Sequence, residues 1–305
     1  MQAFISATPM ALPEAQSLPL STLLPDQLLT LMAGLLGACV GSFLNVVAWR
    51  LPRQESILWP GSHCPKCGTS LRWLDNLPVL SWLLLRGRCH HCHTAISIRY
   101  PMVELLTAGL WVAAMQAGIQ QLPTAMGQGA DPLLLALAGG LLFSWLVPLV
   151  LIDLDQLWLP ETLCRYGLLL GLIATAVLGF GQGVAVGREL LLNHLLAAGV
   201  ALLGFEALSA IGAKLMGKPA LGLGDAKLAA LIGAWLGLVG VAICLALAVT
   251  IGAVVGSAGR ISGLLQREQP FAFGPFLAIG AGLVWLFGNE PWLQLLTLAG
   301  WPAGR

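Results

Sequence analysis

What most constrains this chain is the length of its apolar blocks. A helix rises about 1.5 Å per residue, so roughly 20 consecutive apolar residues cross about 30 Å of hydrocarbon. Stretches near residues 27–48, 101–119, 132–152, 161–181, 190–213, 226–236, 238–258 and 275–299 meet or approach that length, several of them with no interior charge. With 57% hydrophobic residues and only 10% charged, 305 residues hold too many such blocks for one soluble core. The pattern predicts an all-α polytopic membrane protein of about eight transmembrane helices. The sixth span is short, and its boundary falls at Gly237.

Charge sets the expected orientation. No Lys or Arg precedes Arg50, so the start lacks the basic region of a secretory signal. The first block is therefore expected to remain as a span behind a mostly uncharged tail, residues 1–26. Lys and Arg favour the inner side of a membrane. With the N-terminus outside, the inner loops and adjoining helix ends hold Arg50, Arg53, Lys66, Arg72, Arg86, Arg88, Arg99, Arg165, Lys214, Lys218, Lys227, Arg260 and Arg267, and only Arg188 and Arg305 stay outside. A formal net charge of +1 argues against nucleic acid as a partner, because such binders gather basic residues on one face. Small residues in the later spans, Gly233, Gly237, Gly240, Gly252 and Gly256, allow close helix packing in lipid. No internal repeat stands out.

The polar insertion from Arg50 to Tyr100 carries seven of the fifteen basic residues and reads as a compact cytoplasmic domain. Within it, Cys64-Pro-Lys-Cys67 and Cys89-His-His-Cys92 form two C-x-x-C pairs, close to the spacing of a four-thiolate zinc site. Each pair turns two sulfurs toward one ion, and a domain this small cannot bury much core, so a structural metal supplies folding energy. His63, His90, His91 and His93 crowd the same place as substitute ligands, but four cysteines are the simpler set. A pair of disulfides is the alternative, disfavoured in a reducing cytoplasm. Cys39, Cys164 and Cys244 fall in spans and read as buried apolar residues.

Acids near spans are rare enough to need individual accounts. Asp153 and Asp155 end the third span, and Asp225 closes Gly222-Leu-Gly-Asp225 before Ala226-Lys227. The simplest reading is a span end and a helix cap. Gly222 and Gly224, however, clear side chains from beside Asp225, which a plain cap does not need and which lets an extended peptide approach. Two carboxyls sharing a hydrogen bond cannot both ionise easily and titrate as a unit. That state suits peptide hydrolysis, one member acting as general base on water and the other polarising the carbonyl.

At these residues the sequence resembles the type IV prepilin peptidases, membrane aspartic proteases of the G-x-G-D class. The resemblance runs through Gly41-Ser-Phe-Leu-Asn45-Val-Val-Ala-Trp-Arg50-Leu-Pro52, the paired C-x-x-C knuckles, Arg99-Tyr-Pro-Met-Val-Glu104-Leu-Leu, Asp153-Leu-Asp, Gly222-Leu-Gly-Asp225-Ala-Lys227 and Phe273-Gly-Pro-Phe276. It implies removal of a short basic leader from prepilins or pseudopilins on the cytoplasmic face of a bacterial inner membrane, typically after Gly. It also implies N-methylation of the exposed residue, with S-adenosylmethionine as donor. Asp153 and Asp225 correspond to the catalytic pair, with Leu159-Pro160 following Asp153 as expected; the role of Asp155 is open. Glu161 stands where many relatives carry Asp. Methylation is assigned to residues 50–104 by resemblance alone, with Glu104 a candidate and a helix-start carboxylate its alternative. No Gly-rich loop after a strand announces a donor site.

The expected organisation is a periplasmic tail (1–26), a first transmembrane helix (27–48), a cytoplasmic zinc-binding loop (49–100), a membrane aspartic protease domain of about seven helices (101–299) and a C-terminal tail (300–305). A transporter with a regulatory zinc-binding loop is the rival reading; it predicts acids and broken helices near the bilayer midplane. A binding-only assembly component is a further alternative, in which both aspartates are dispensable.

Overall fold

In the computed structural model, which describes residues 25–120, 130–216, 222–263 and 271–298, the apolar blocks fold as helices. They are α1 (Asp26–Arg50), a five-residue α2 (Leu80–Leu84) inside the insertion, α3 (Arg99–Ile119), α4 (Pro132–Gln156), α5 (Glu161–Gly181), α6 (Val184–Met216), α7 (Leu223–Ile261), α8 (Gly274–Phe287) and α9 (Glu290–Leu298). Six of these, all but α2, α8 and α9, are long and apolar enough to cross a membrane. The expected tails, residues 25 and 26 apart, lie outside the described residues, as do Lys218, Arg267 and Arg305.

Local signals set the ends. Asp131 accepts the backbone N–H groups of Leu133 and Leu134 at 2.9 and 3.1 Å, and Pro132 fills the first helical position of α4. Close approach of α1 and α3 depends on Gly41, where an added Cβ would lie 2.8 Å from the Cα of Glu104. Among the later glycines, Gly233 is equally tight against the Ala197 carbonyl, whereas Gly256 meets nothing within 4 Å. Cys164 and Cys244 are buried as expected; Cys39 is exposed on α1 instead, because its position falls on the face turned away from α3.

The 39 residues of α7 would reach about 58 Å if straight, nearly twice the hydrocarbon thickness. They do not run straight, because Gly237 takes φ 70° and ψ −178°. The neighbours of the two arms show a reversal. Along α8, Leu228 lies near Gly274 and Trp235 meets Trp285, so residues 223–236 run parallel to α8. Gly252 lies against Phe276, Cys244 against Leu277, and Gly240 against Val284, so residues 238–261 run antiparallel to it. The expected sixth and seventh spans are these two arms.

A helix break in lipid exposes backbone groups that nothing in the hydrocarbon can satisfy. Side chains from α5 and α6 do so here. Asn193 Oδ1 accepts the Leu238 N–H at 2.9 Å, while His194 Nδ1 and Thr175 Oγ1 donate to the Ala234 carbonyl at 3.0 and 3.3 Å.

The eighth expected span, 275–299, is not one helix. It stops at Phe287, Gly288 adopts φ 70°, and α9 restarts at Glu290-Pro291. A charged residue followed by proline favours a new helix start over continuation.

Gly237→Ala should destabilise the protein by about 1–3 kcal/mol, since this backbone region is essentially glycine-only and the Cβ would press on Asn193 and His194 at 3.1–3.2 Å. Thermal unfolding in detergent, wild type against variant, measures it.

Candidate active site and metal centre

Asp153 sits on the last turn of α4 and is 5% exposed. Beyond it the chain turns sharply: Leu157 caps α4 in the left-handed conformation at φ 53° and donates its N–H to the Asp153 carbonyl at 2.8 Å. That turn delivers Leu159 and Pro160 to the start of α5. One oxygen of Asp153 accepts the backbone N–H of Gly274 at 3.0 Å, at the first residue of α8. A helix N-terminus with a free N–H is a favourable place for a carboxylate. The approach is close enough that a Cβ on Gly274 would lie 2.6 Å from Asp153 Oδ2.

Asp225 is the third residue of α7, partly buried, and its carboxylate lies over Gly222 at the N-cap, where an added Cβ would come within 3.2 Å of Oδ2. Gly224 packs over Leu159, where a Cβ would come within 3.1 Å. The structure brings Asp153 and Asp225 to the same end of the bundle: Gly274 lies against both Asp153 and Leu228 of α7, and Gly224, next to Asp225, packs on Leu159 just beyond α4. Both acids lie at helix ends, while the break at Gly237 is lined by Asn193, His194 and Thr175.

The neighbouring acids are already paired. Asp155 binds Arg99 of α3 at 2.7–2.8 Å, and Glu161 binds Lys227 at 2.8 Å. Asp155 therefore ties α4 to α3, and Lys227 ties α7 to α5 around the aspartate pair.

In the insertion, the Sγ atoms of Cys64, Cys67, Cys89 and Cys92 all lie within 4.8 Å of one another. Cys64 and Cys92 are 3.8 Å apart, the edge expected of a tetrahedron with metal–sulfur bonds of about 2.3 Å. None of the four nearby histidines belongs to this group. The cluster could hold a metal ion. Thr69 hydrogen bonds lower the Cys67 thiol to about 6, despite some desolvation. At Cys92 the Thr94 N–H favours the thiolate, but desolvation and the surrounding sulfurs prevail and push it up to about 11.

The knuckles repeat each other. Cys64 N–H bonds the Thr69 carbonyl and Cys89 N–H the Thr94 carbonyl; His63 bridges Ser70 as Arg88 bridges Ala95. Gly68 and His93, each following the second cysteine, both take positive φ, 69° and 54°. The 25-residue repeat, C-x-x-C-x-Thr, is present in the sequence, with glycine in one turn facing histidine in the other.

Three ties hold the insertion to the membrane helices. Arg50, 7% exposed, donates to the carbonyls of Ser56, Pro60 and Gly61 at 3.0, 2.7 and 3.3 Å. Asn45 of α1 donates to the Tyr100 carbonyl at 3.2 Å. Glu104 accepts the Val79 N–H at 2.7 Å.

Residues 35–117 match the bacterial peptidase A24 N-terminal domain, and residues 140–257 match the type IV leader peptidase family. Over 278 residues the chain is 41% identical to the prepilin leader peptidase/N-methyltransferase of Myxococcus xanthus (strain DK1622), an alignment covering 86% of this chain and 74% of that one. The chain belongs to the type IV leader peptidase family. The enzyme of the same name from Neisseria gonorrhoeae is 32% identical over 86% of this chain and 91% of its own. The type 4 prepilin-like proteins leader peptide-processing enzyme of Escherichia coli O78:H11 (strain H10407 / ETEC) is 34% identical over 80% and 88%. No solved structure matches. The leader peptidase match takes in Asp153 and Asp225 but ends before Gly274, whose contact with Asp153 no linear spacing reveals.

The exposed Arg99–Asp155 pair and the buried Arg50 should differ sharply on removal. Asp155→Asn should change stability by less than about 1 kcal/mol. Arg50→Ala, which strands three carbonyls, should cost at least about 2 kcal/mol. Thermal unfolding in detergent reads both, and limited proteolysis between residues 50 and 100 should rise only in Arg50→Ala.

Proposed function

We propose that this protein is a membrane-embedded aspartic endopeptidase that removes the leader from type IV prepilins or type II secretion pseudopilins and N-methylates the new N-terminal residue. The observation that supports this most directly is the placement of Asp153 and Asp225 at one end of the bundle, with the Gly274 N–H on Asp153. The names of its relatives point the same way. Its place would be the bacterial inner membrane, with the aspartate end facing the cytoplasm, since the sequence puts thirteen of the fifteen basic residues in the loops and helix ends expected on that side.

In the proposed mechanism one aspartate is ionised and the other protonated. The ionised carboxylate takes a proton from water as the water oxygen bonds to the scissile carbonyl carbon. The protonated carboxyl gives its proton to the carbonyl oxygen. As the tetrahedral intermediate collapses the roles reverse: the C–N bond breaks and the leaving amine takes a proton from a carboxyl. A prepilin's apolar helix can lie in the bilayer while its leader junction reaches this end. Asp155 and Glu161 are engaged by Arg99 and Lys227, so part of their charge is already matched within the protein.

Zinc fits the four thiolates: the charge, number and spacing of the sulfurs suit it, and a closed shell of four thiolates leaves no position for water. It would hold the two knuckles together and take no part in hydrolysis. S-adenosylmethionine would supply the methyl group. Among the described residues no strand leads into a Gly-rich loop, so no residue is assigned to the donor and no step is derived through it. Glu104, the candidate for that activity, has one carboxylate oxygen engaged by the Val79 N–H.

Asp153→Asn and Asp225→Asn should each abolish leader removal while the protein stays inserted and folded. Gly274→Ala should lower the rate by on the order of 100-fold by displacing the Asp153 carboxylate. Intact-mass measurement of a prepilin incubated with purified protein, with and without S-adenosylmethionine, reads cleavage and methylation separately. Undiminished cleavage by Asp225→Asn would remove that residue from the mechanism.

Cys64→Ser or Cys92→Ser should lower bound zinc well below one per chain, as measured by elemental analysis of purified protein. Unmutated protein carrying no zinc would count against the assignment.

A further inference from the structure

The insertion leaves large apolar side chains in the open, among them Leu84 at 79%, Leu80 at 57% and Leu83 at 56% exposed. The three leucines lie on α2 at positions i, i+3 and i+4, so they share one face. Its other side is held: Trp82 Nε1 donates to the Ile96 carbonyl at 3.1 Å, and the Trp82 ring lies against Gly87 of the second knuckle.

The depth of α2 is also fixed. Val79, immediately before it, donates to Glu104, the sixth residue of α3 and so about 8 Å along that span from its start. Holding it there puts the β-branched Val79 at φ 60° and ψ −48°, a strained conformation kept by its surroundings. The helix therefore lies beside the first turns of α3, at the end of the bundle that carries the insertion.

Charge agrees. Residues 50–100 carry seven Lys and Arg against Glu55 and Asp75. Arg50, Arg72 and Arg99 are engaged internally, but Arg86 and Arg88, directly after α2, are exposed. Trp59, 79% exposed, stays beside the end of α1 because Arg50 binds the adjoining Pro60 carbonyl. Tryptophan at such a level belongs to the aromatic belt of a membrane interface.

We propose that α2 is an interfacial anchor: its Leu80, Leu83 and Leu84 face enters the headgroup–acyl boundary of the surrounding bilayer, and Arg86 and Arg88 engage anionic phospholipid headgroups. The ligand is the lipid surface, independent of what the aspartates cleave.

The test places a diazirine amino acid at Leu84 of the full-length protein in phosphatidylglycerol nanodiscs, irradiates, and identifies adducts by mass spectrometry. Phospholipid adducts are expected, and Arg86→Gln with Arg88→Gln should cut their yield several-fold in phosphatidylglycerol but not in phosphatidylcholine. Cross-links to a second copy of the chain or to an added prepilin, or water-quenched label alone, would overturn the proposal. Hydrogen exchange on the unmodified protein removes dependence on the label. Amides 80–84 should exchange several-fold more slowly in phosphatidylglycerol than in phosphatidylcholine discs, and equal rates would refute the anionic contact.

Discussion

A carboxylate next to hydrocarbon survives only where polar groups of the protein replace the water it has lost. Asp153 meets that demand with the first N–H of α8, a group orphaned by helix geometry and carrying the positive end of the helix dipole. One contact thereby satisfies two needs, and it sets the relation of α4 to α8. Since α8 packs against both arms of α7, the position of Asp225 follows from the same contact. Gly274 is the only residue type that fits so close to the carboxylate, which gives Phe273-Gly-Pro-Phe276 a physical role.

The reversal at Gly237 is the second condition. Were α7 a single rod, its far end would project well beyond the bilayer, and the loop to α8 could not return to Asp153. The turn is permitted by glycine and stabilised by Asn193, His194 and Thr175, none of which touches the aspartates. These polar side chains inside the bundle are explained by the backbone groups they satisfy, so they need no catalytic role.

Helices α1, α3, α4, α5 and the arms of α7 were legible in the sequence because hydrophobic length is a direct consequence of bilayer thickness. The four cysteines and the acids at span ends were legible for a similar reason: each is costly in its place unless it has a task. Contacts between distant segments were not. Gly274 to Asp153, Asp155 to Arg99 and Glu104 to Val79 join residues with no common period or motif. The split of the last span at Gly288 had local signals, a glycine and Glu290-Pro291, that an averaged apolar stretch conceals. Cys39 was misjudged because a membrane helix is apolar on its lipid face as well as its packed face, so burial cannot be read from hydrophobicity there.

The same ties connect the metal centre to the aspartates. The second knuckle grips Trp82 of α2 through Gly87 and the Ile96 carbonyl, α2 is pinned through Val79 to Glu104 of α3, and Arg99 at the start of α3 holds Asp155, two residues from Asp153. Each link is a hydrogen bond or ion pair of modest strength, yet they act in series on short, packed segments. The thiolates are too remote in role to hydrolyse a peptide, but their closure fixes the turn from which α3 begins. Opening of the four-cysteine cluster would therefore reach the aspartate end as a loosening of the Arg99 anchor, with the exposed ion pair giving way before the buried Glu104 contact, since solvent screens the first and not the second.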